Sequence, residues 1–358
     1  MIPPKCQIYF HYNFNLYAKK VNKLNYFLII VNNLSAQVLI ISLKCGKIKV
    51  NFKQRREIML GKIFKTLGII LLVLVILFLI TQLFYLPKYL TSDAKVELSD
   101  DDDGEITIMS TNVRCYSPED LFKKSWFYRA DLIIDDVNSV KPDIIGFQEV
   151  TFIHYDFLKK AMPGYDSEIA YRDDFILSEG CPIFYRTDKY EKIDSGSFWL
   201  SQTPDVMSKD WGAAHYRICT YIILEEKATG EEFVVFNTHL DHVSDEARIN
   251  GIKVVLDKIA EFNNIPAFLM GDLNAEPDSD TIISTHESFD DAHNIAAEAD
   301  EGATYHDWGE KMYRERIDYI MISKGSATVS EYRVLDNLHG DAYSSDHTSI
   351  YIKATINR

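Results

Sequence analysis

No charged residue stands between Lys65 and Lys88, and residues 66–86 read TLGIILLVLVILFLITQLFYL. About 20 apolar residues rising 1.5 Å each cross a hydrocarbon layer of ~30 Å. The run is apolar on every side, which a surface helix of a soluble domain is not. Arg55, Arg56, Lys62 and Lys65 precede it, whereas Lys88, Lys95 and the acidic run 100–103 follow it. That asymmetry predicts an N-terminus inside and the remaining chain outside the cytoplasm. The run is longer than a signal-peptide core and no small-x-small site follows it, so an uncleaved single-pass anchor is expected.

Residues 1–58 are rich in Asn, Lys, Tyr and Ile and show no organised periodicity. They are expected to be a non-native or disordered extension, with translation starting at Met59. A weak apolar stretch from Leu24 to Leu43 is broken by Asn32 and Asn33 and is not expected to be a second span.

Charge divides the chain sharply. The first 92 residues hold 13 Lys and Arg against one acid, Glu57, and of the totals 38 and 53 this leaves 25 basic and 52 acidic residues in 93–358, a net of −27. A domain that acidic repels polyanions, so an extended nucleic-acid footprint is disfavoured unless bound cations supply the attraction. Cys6, Cys45, Cys115, Cys181 and Cys219 form no CxxC or zinc spacing and are expected to be small buried hydrophobes.

Residues 91–104 read as a polar linker or first edge, and 105–358 as one domain. ITIMSTNV, DIIGFQ, CPIFYR, AFLMGDLN, RIDYIMIS and HTSIYIKATI are strand-like. WFYRADLIIDDVNSV has helical spacing and stops before Pro142. YIILEEKATGEEFVVFNTHL reads as a hairpin turning near Thr229-Gly230. In 245–262 a helical face carries Ile249, Ile252, Leu256 and Ile259. The mixture is not strictly βαβ, so sheets packed face to face with helices outside are expected.

Side chains able to bind metals and move protons recur at the strand ends. Asn112 ends one strand and Glu149 follows another; His239, Asp272 and Asn274 follow two more; Asp318 opens a strand, and Asp346-His347 opens the last. Strand ends hold such groups rigidly at a sheet rim. Each alone is an ordinary turn former or surface residue; it is their recurrence that points to a site.

With STNVR, GFQEV, GCPIFYR, NTHLDH, GDLNAEPDS, RIDYI and SDH in this order, the chain resembles the endonuclease/exonuclease/phosphatase superfamily, also called DNase I-like, over about 106–352. The resemblance implies an α/β fold, a four-layer α-β-β-α sandwich. Glu149 would then ligate a hard cation, Mg²⁺ or Mn²⁺, with Asn112 and Asp346 supporting that metal directly or through water. Asp272 would accept a proton from, or orient, the attacking water, and Asn274 would hold the same region through its amide. His239 and His347 would flank the phosphate, and Asp318 would fix one histidine's tautomer. Asp272 and His347 are both candidates for the general base.

Around these, Arg217 is a candidate phosphate contact or half of a structural ion pair. Asp241 and His242 are expected in a solvated loop, and Arg248 is expected to pack and pair with acids. Tyr171, Phe198, Trp199 and Trp211 are expected mainly in the core. His154, His286, His293 and His306 match no position of the pattern.

The implied activity is metal-dependent hydrolysis of a phosphodiester or phosphomonoester outside the cytoplasm. The alternatives are an extracellular scavenging nuclease, a non-catalytic ligand-binding ectodomain of the same fold, and a passive membrane ectodomain. A phosphate-ester substrate and the membrane are the expected partners.

Overall fold

The computed structural model describes residues 28–33, 36–43, 46–98, 104–262, 265–311 and 316–357. The linker's acidic run 100–103 and the first 27 residues of the extension lie outside them. The chain divides into two units, Met1–Ile80 and Thr81–Arg358.

In the first unit, strands Leu28–Asn33, Ala36–Leu43 and Gly46–Asn51 form an antiparallel sheet in sequence order. A helix, Phe52–Leu83, follows. Its apolar side chains from Leu67 to Ile80 are exposed, and by length and composition it is sufficient to cross a membrane.

The second unit is built on two large sheets. The first has seven strands in the order Glu298–Ala299, Ala327–Val334, Ile350–Ile356, Ile106–Asn112, Ile144–Gln148, Ile183–Arg186, Tyr165–Glu168. The second has six, in the order Phe289–Asp291, Asp318–Ser323, Ala267–Asp272, Glu232–His239, Ile218–Glu226, Tyr190–Trp199. The expected hairpin is present: Val235 pairs with Ile222, and the chain turns through Gly230 at φ +74.

Strand alternation builds the layers. Phe233, Val235, Phe268, Met270, Ile320 and Ile322 point inward and meet Ile108, Ile144, Ile350 and Ile352 of the other sheet. Their neighbours Val234, Phe236, Leu269, Tyr319 and Met321 point outward, onto Ile252, Val255 and Ile259 of helix Asp245–Ala260. On the opposite outer face, Met109, Ile145 and Phe147 pack against Trp126, Ile133, Ile134 and Val137 of helix Trp126–Val140 and Leu158 of helix Phe152–Ala161. Helix, sheet, sheet and helix make the four-layer sandwich.

Helix Asp245–Ala260 differs from its sequence reading. Its buried face is Gly251, Ile252, Val255 and Ile259, and Ile249 and Leu256 are only half-buried. Gly251 stands against Leu200 and Leu240, so the helix touches the sheet where it has no side chain. The last strand begins at Ile350 rather than at Asp346. His347 backbone is instead held by a single bridge to Tyr305, because the polar run 344–349 spends its hydrogen bonds on loop contacts described below.

Residues 85–98 are packed rather than free. Tyr89 stacks on Phe157 with ring centroids 5.2 Å apart and donates its hydroxyl to the Ile153 carbonyl at 3.0 Å. Val96 N–H reaches Ala161 O at 2.8 Å, and Asn138 brackets the strap through Glu97 N–H and Lys95 O at 2.7 and 2.8 Å.

Two glycines let the chain close up under the strand ends. A Cβ on Gly146 would meet Met270 of the opposite sheet at 2.6 Å. Gly271 has φ +143, and a Cβ there would overlap the Thr238 carbonyl. Overpacking and forced backbone strain add here, so Gly271→Ala should lower the unfolding free energy by about 3 kcal/mol. Urea denaturation of the variant checks this; a loss below about 1 kcal/mol would show that the neighbouring strand gives way.

Candidate active site

The sheet registers bring the predicted residues to one rim. Asn112 pairs with Gln148, whose successor is Glu149. In the other sheet His239 pairs with Asp272, and Asp272 pairs with Asp318. Asn112 joins the two sheets: its amide nitrogen donates to Glu149 Oε1 at 3.2 Å and to Asp272 Oδ2 at 3.0 Å. Beneath them a buried amide pair does the same, Gln148 donating to Asn237 Oδ1 at 2.8 Å while Asn237 donates to the carbonyls of Phe147 and Pro182 at 2.8 and 2.9 Å. Both amides stand inside recognised motifs, but only the fold shows what they hold.

Glu149 and Asn274 have left-handed backbones, φ 63 and 47, a strain that accumulates at functional sites. Cys115 N–H donates to Glu149 Oε2 at 2.6 Å. Asn274 N–H donates to Asp272 Oδ1 at 2.9 Å, and its side-chain amide anchors Leu240 O, next to His239, at 3.1 Å. His239 Nε2 lies 3.4 Å from Asp272 Oδ2, and His347 Nε2 lies 3.7 Å from the same oxygen. His347 Nδ1 meets Asp318 Oδ2 at 2.9 Å. Asp318 N–H in turn donates to Thr304 Oγ1 at 3.0 Å, and the Tyr305 ring packs over His347 with centroids 4.8 Å apart.

The loop carrying Asp346 and His347 is fixed by residues with no sequence signal. Asn337 donates to the carbonyls of Ser345 and His347 at 3.1 and 2.7 Å. Arg129, fully buried, donates to Ser344 O and Val113 O at 2.6 and 2.9 Å. Ser345 Oγ donates to Asn112 O at 2.6 Å, and Arg114 Nη1 stands 3.7 Å from Asp346 Oδ2.

Burial would raise the Glu149 carboxyl, but the Arg114 guanidinium, the Cys115 N–H and the charged His347 outweigh it and hold the group well below the usual carboxylate range. Burial and Arg217 drive His239 well down. Its ring is therefore neutral near pH 7, and Arg114 is the standing counter-charge to Glu149. Burial and the adjacent Asp318 push Asp272 up to about 7, and burial raises Asp346. Burial would lower His347, but Asp318 and Asp272 outweigh it and push the ring up to about 10. His347 is thus an imidazolium near neutral pH, able to donate.

Asp272, Asp318 and His347 lie close enough to hold an ion among them. A protonated ring whose Nδ1 is already bonded to Asp318 has no lone pair to give, so this trio suits proton handling. Glu149, Asp346 and the Asn112 amide offer hard oxygens instead. The half-buried Glu149 and the buried Asp272, Asp318 and Asp346 outnumber the cations set directly against them, Arg114 and His347. Charge withdrawn from water requires a partner, and this oxygen donor set is of the kind a hard divalent cation takes.

Arg217 is set apart from the trio. It lines a narrow pocket with Glu149, Arg172, Glu179, Cys181 and His239. Asp241 is buried, contrary to its solvated-loop expectation: its carboxylate accepts the N–H groups of Ala214, His215, Val243 and Ser244 and organises two loops. His242 beside it is exposed as expected. Arg248 packs against the same loop, donating to Asp241 O at 2.8 Å and pairing with Asp245. Phe198 is core, and Trp199 donates its indole N–H to Arg172 O at 2.8 Å. Cys181 and Cys219 are buried free thiols.

This sandwich with its rim of carboxylates and histidines defines a family. Residues 109–347 match the model of the Endonuclease/Exonuclease/phosphatase family, and the chain belongs to it. Members are nucleases and phosphatases, hydrolases that generally use divalent metals. Among solved structures, an endonuclease/exonuclease/phosphatase from Bacteroides vulgatus is 32% identical, with TM-score 0.67, covering 71% of this chain and 99% of that one. The mannosyl-6-phosphatase of Bacteroides thetaiotaomicron is also 32% identical, with TM-score 0.63 and coverage of 70% and 99%. The Ccr4 3'-5'-exoribonuclease subunit of Schizosaccharomyces pombe is 26% identical over 206 residues, 47% of this chain and 29% of that protein. The chain spans less than half the length of the first curated relatives it matches.

Proposed function

We propose that this chain is a divalent-metal-dependent phosphate-ester hydrolase that acts on a compact ester, a sugar phosphate in the first instance, on the outer side of a membrane. The observation that carries the reading is the convergence of Asn112, Glu149, His239, Asp272, Asp318 and His347 on one rim, joined by direct contacts between two sheets. The likeness to a mannosyl-6-phosphatase along nearly that protein's whole length and the net charge of −27 over 93–358 both favour a small ester over a nucleic-acid strand.

Glu149, Asp346 and Asn112 would hold the cation, which when bound neutralises phosphoryl charge. His347 donates from Nε2 to a phosphoryl oxygen, and Asp318 holds it charged and oriented. Asp272, whose proton affinity sits near neutrality, takes the proton of the attacking water; between the two candidate bases, this favours Asp272 over His347. Asn274 keeps the Asp272 carboxylate aimed. His239, neutral and buried, stands on the other side of Asp272 to serve the leaving oxygen.

Cells expressing the full chain, kept intact and given mannose 6-phosphate, p-nitrophenyl phosphate, bis-p-nitrophenyl phosphate, RNA or DNA, test the reading together with the topology. A small ester should be turned over with Mg²⁺ or Mn²⁺ and the activity lost with EDTA. Turnover seen only after lysis rejects the outward topology. Hydrolysis confined to RNA or DNA turns the assignment to a scavenging nuclease, and no metal-dependent turnover at all favours a binding ectodomain.

A further inference from the structure

Beside the reacting rim lies a wall the proposed mechanism does not use. Arg217 is buried, yet its Nε has no hydrogen-bond partner among the described residues. Among the described residues its Nη2 meets only the His242 ring, at 3.2 Å. The Asp241 carboxylate stands 4.0 Å from Nε, and its two oxygens already accept four backbone N–H groups. Across the pocket Arg172 spends both terminal nitrogens on a two-pronged pair with Glu179, at 2.7 and 2.8 Å, while its Nε, like that of Arg217, has no hydrogen-bond partner among the described residues. The pair offsets its own charge and leaves Arg217 a buried cation whose one ion-pair partner among the described residues, Asp241 at 4.0 Å, makes no hydrogen bond to it. A guanidinium withdrawn from water is costly unless an anion meets it, and its planar fork suits phosphate or carboxylate.

The pocket's position decides which anion. It is bounded on one side by Glu149 and His239, while Asn112, Asp272, Asp318 and His347 are not on its lining. A phosphate held by Asp272 and His347 would meet groups that are not on this lining and would share with it only Glu149 and His239. We propose that Arg217 forms a second anion subsite, which takes an anionic group of the substrate other than the phosphate being cleaved. Resting on the hydrolase reading, this narrows the substrate class to esters carrying two anionic groups, such as sugar bisphosphates.

The test uses the full chain in detergent with Mg²⁺, and compares glucose 1,6-bisphosphate with glucose 6-phosphate. The wild type should show a kcat/KM higher by about tenfold or more for the bisphosphate, the scale of one charge-assisted contact. Arg217→Gln should bring the ratio near one, and Arg217→Lys, which keeps charge but not the fork, should leave it in between. A parallel binding arm measures thermal protection by methylenediphosphonate against methylphosphonate, with greater protection by the diphosphonate in the wild type only. Equal rates on the two sugars, or a preference that survives Arg217→Gln, overturns the subsite while leaving the hydrolase reading intact. If neither sugar is cleaved, the sugar-phosphate reading falls and the diphosphonate arm alone decides: equal protection by the two phosphonates overturns the subsite. If Arg217→Gln does not fold, Arg217→Lys carries both arms, and an unchanged ratio there is the overturning result.

Discussion

Glu149→Gln should lower kcat/KM by about three orders of magnitude, roughly 4 kcal/mol of transition-state stabilisation, while leaving the fold standing. The two effects separate because of how the residue is held. Its carboxylate accepts the Asn112 amide and the Cys115 N–H, and a carboxamide oxygen can still accept a hydrogen bond. What glutamine cannot supply is the negative charge that Arg114 faces and that a hard cation requires. The unfolding midpoint in urea should therefore move little, whereas the Mg²⁺ concentration giving half-maximal rate should rise at least tenfold. Activity that falls with an unchanged metal requirement would place the ion elsewhere, and the Asp272, Asp318 and His347 trio would become the site to examine.

The helical elements were legible where periodicity and punctuation agreed. Helix Trp126–Val140 matches its predicted segment because apolar spacing stops at Pro142. The hairpin through Gly230 was equally plain. Misreadings arose where contact is made without a side chain or without a hydrophobe. Gly251 adds nothing to the apolar periodicity of helix Asp245–Ala260, yet it stands at the sheet surface. Asp241 reads as a polar loop residue, and nothing in NTHLDH says that four N–H groups from two loops converge on it.

The site divides along the same line. Residues that touch the reacting rim sit in short motifs and could be listed from the chain, because strand ends fix them one motif at a time. The groups that hold these motifs in place are distant in sequence. Arg129 reaches Ser344 across 215 positions, and Thr304 and Asn337 fix Asp318 and His347 by single hydrogen bonds from loops without a pattern. Arg172 likewise gains its meaning only beside Glu179 and Arg217. Motifs name the chemistry; long-range hydrogen bonds hold the loops that carry it.

His347→Ala should reduce kcat by about three to four orders of magnitude, the upper range for a positioned proton donor. Asp318→Asn should cost about 10–100-fold, as expected of a group that acts through another. The histidine is an imidazolium only because two carboxylates flank it, Asp318 at 2.9 Å and Asp272 at 3.7 Å. Removing the Asp318 charge leaves the ring present but less firmly protonated and free to turn. The two residues therefore form one unit, and the double variant His347→Ala/Asp318→Asn should be scarcely slower than His347→Ala alone. Single-turnover rates on p-nitrophenyl phosphate, whose leaving group needs little protonation, isolate donation to the phosphoryl oxygen from help to the leaving oxygen. A full multiplicative loss in the double variant would mean that Asp318 serves catalysis independently of His347, and the assignment of Asp272 as proton acceptor would then have to be shared between the two carboxylates.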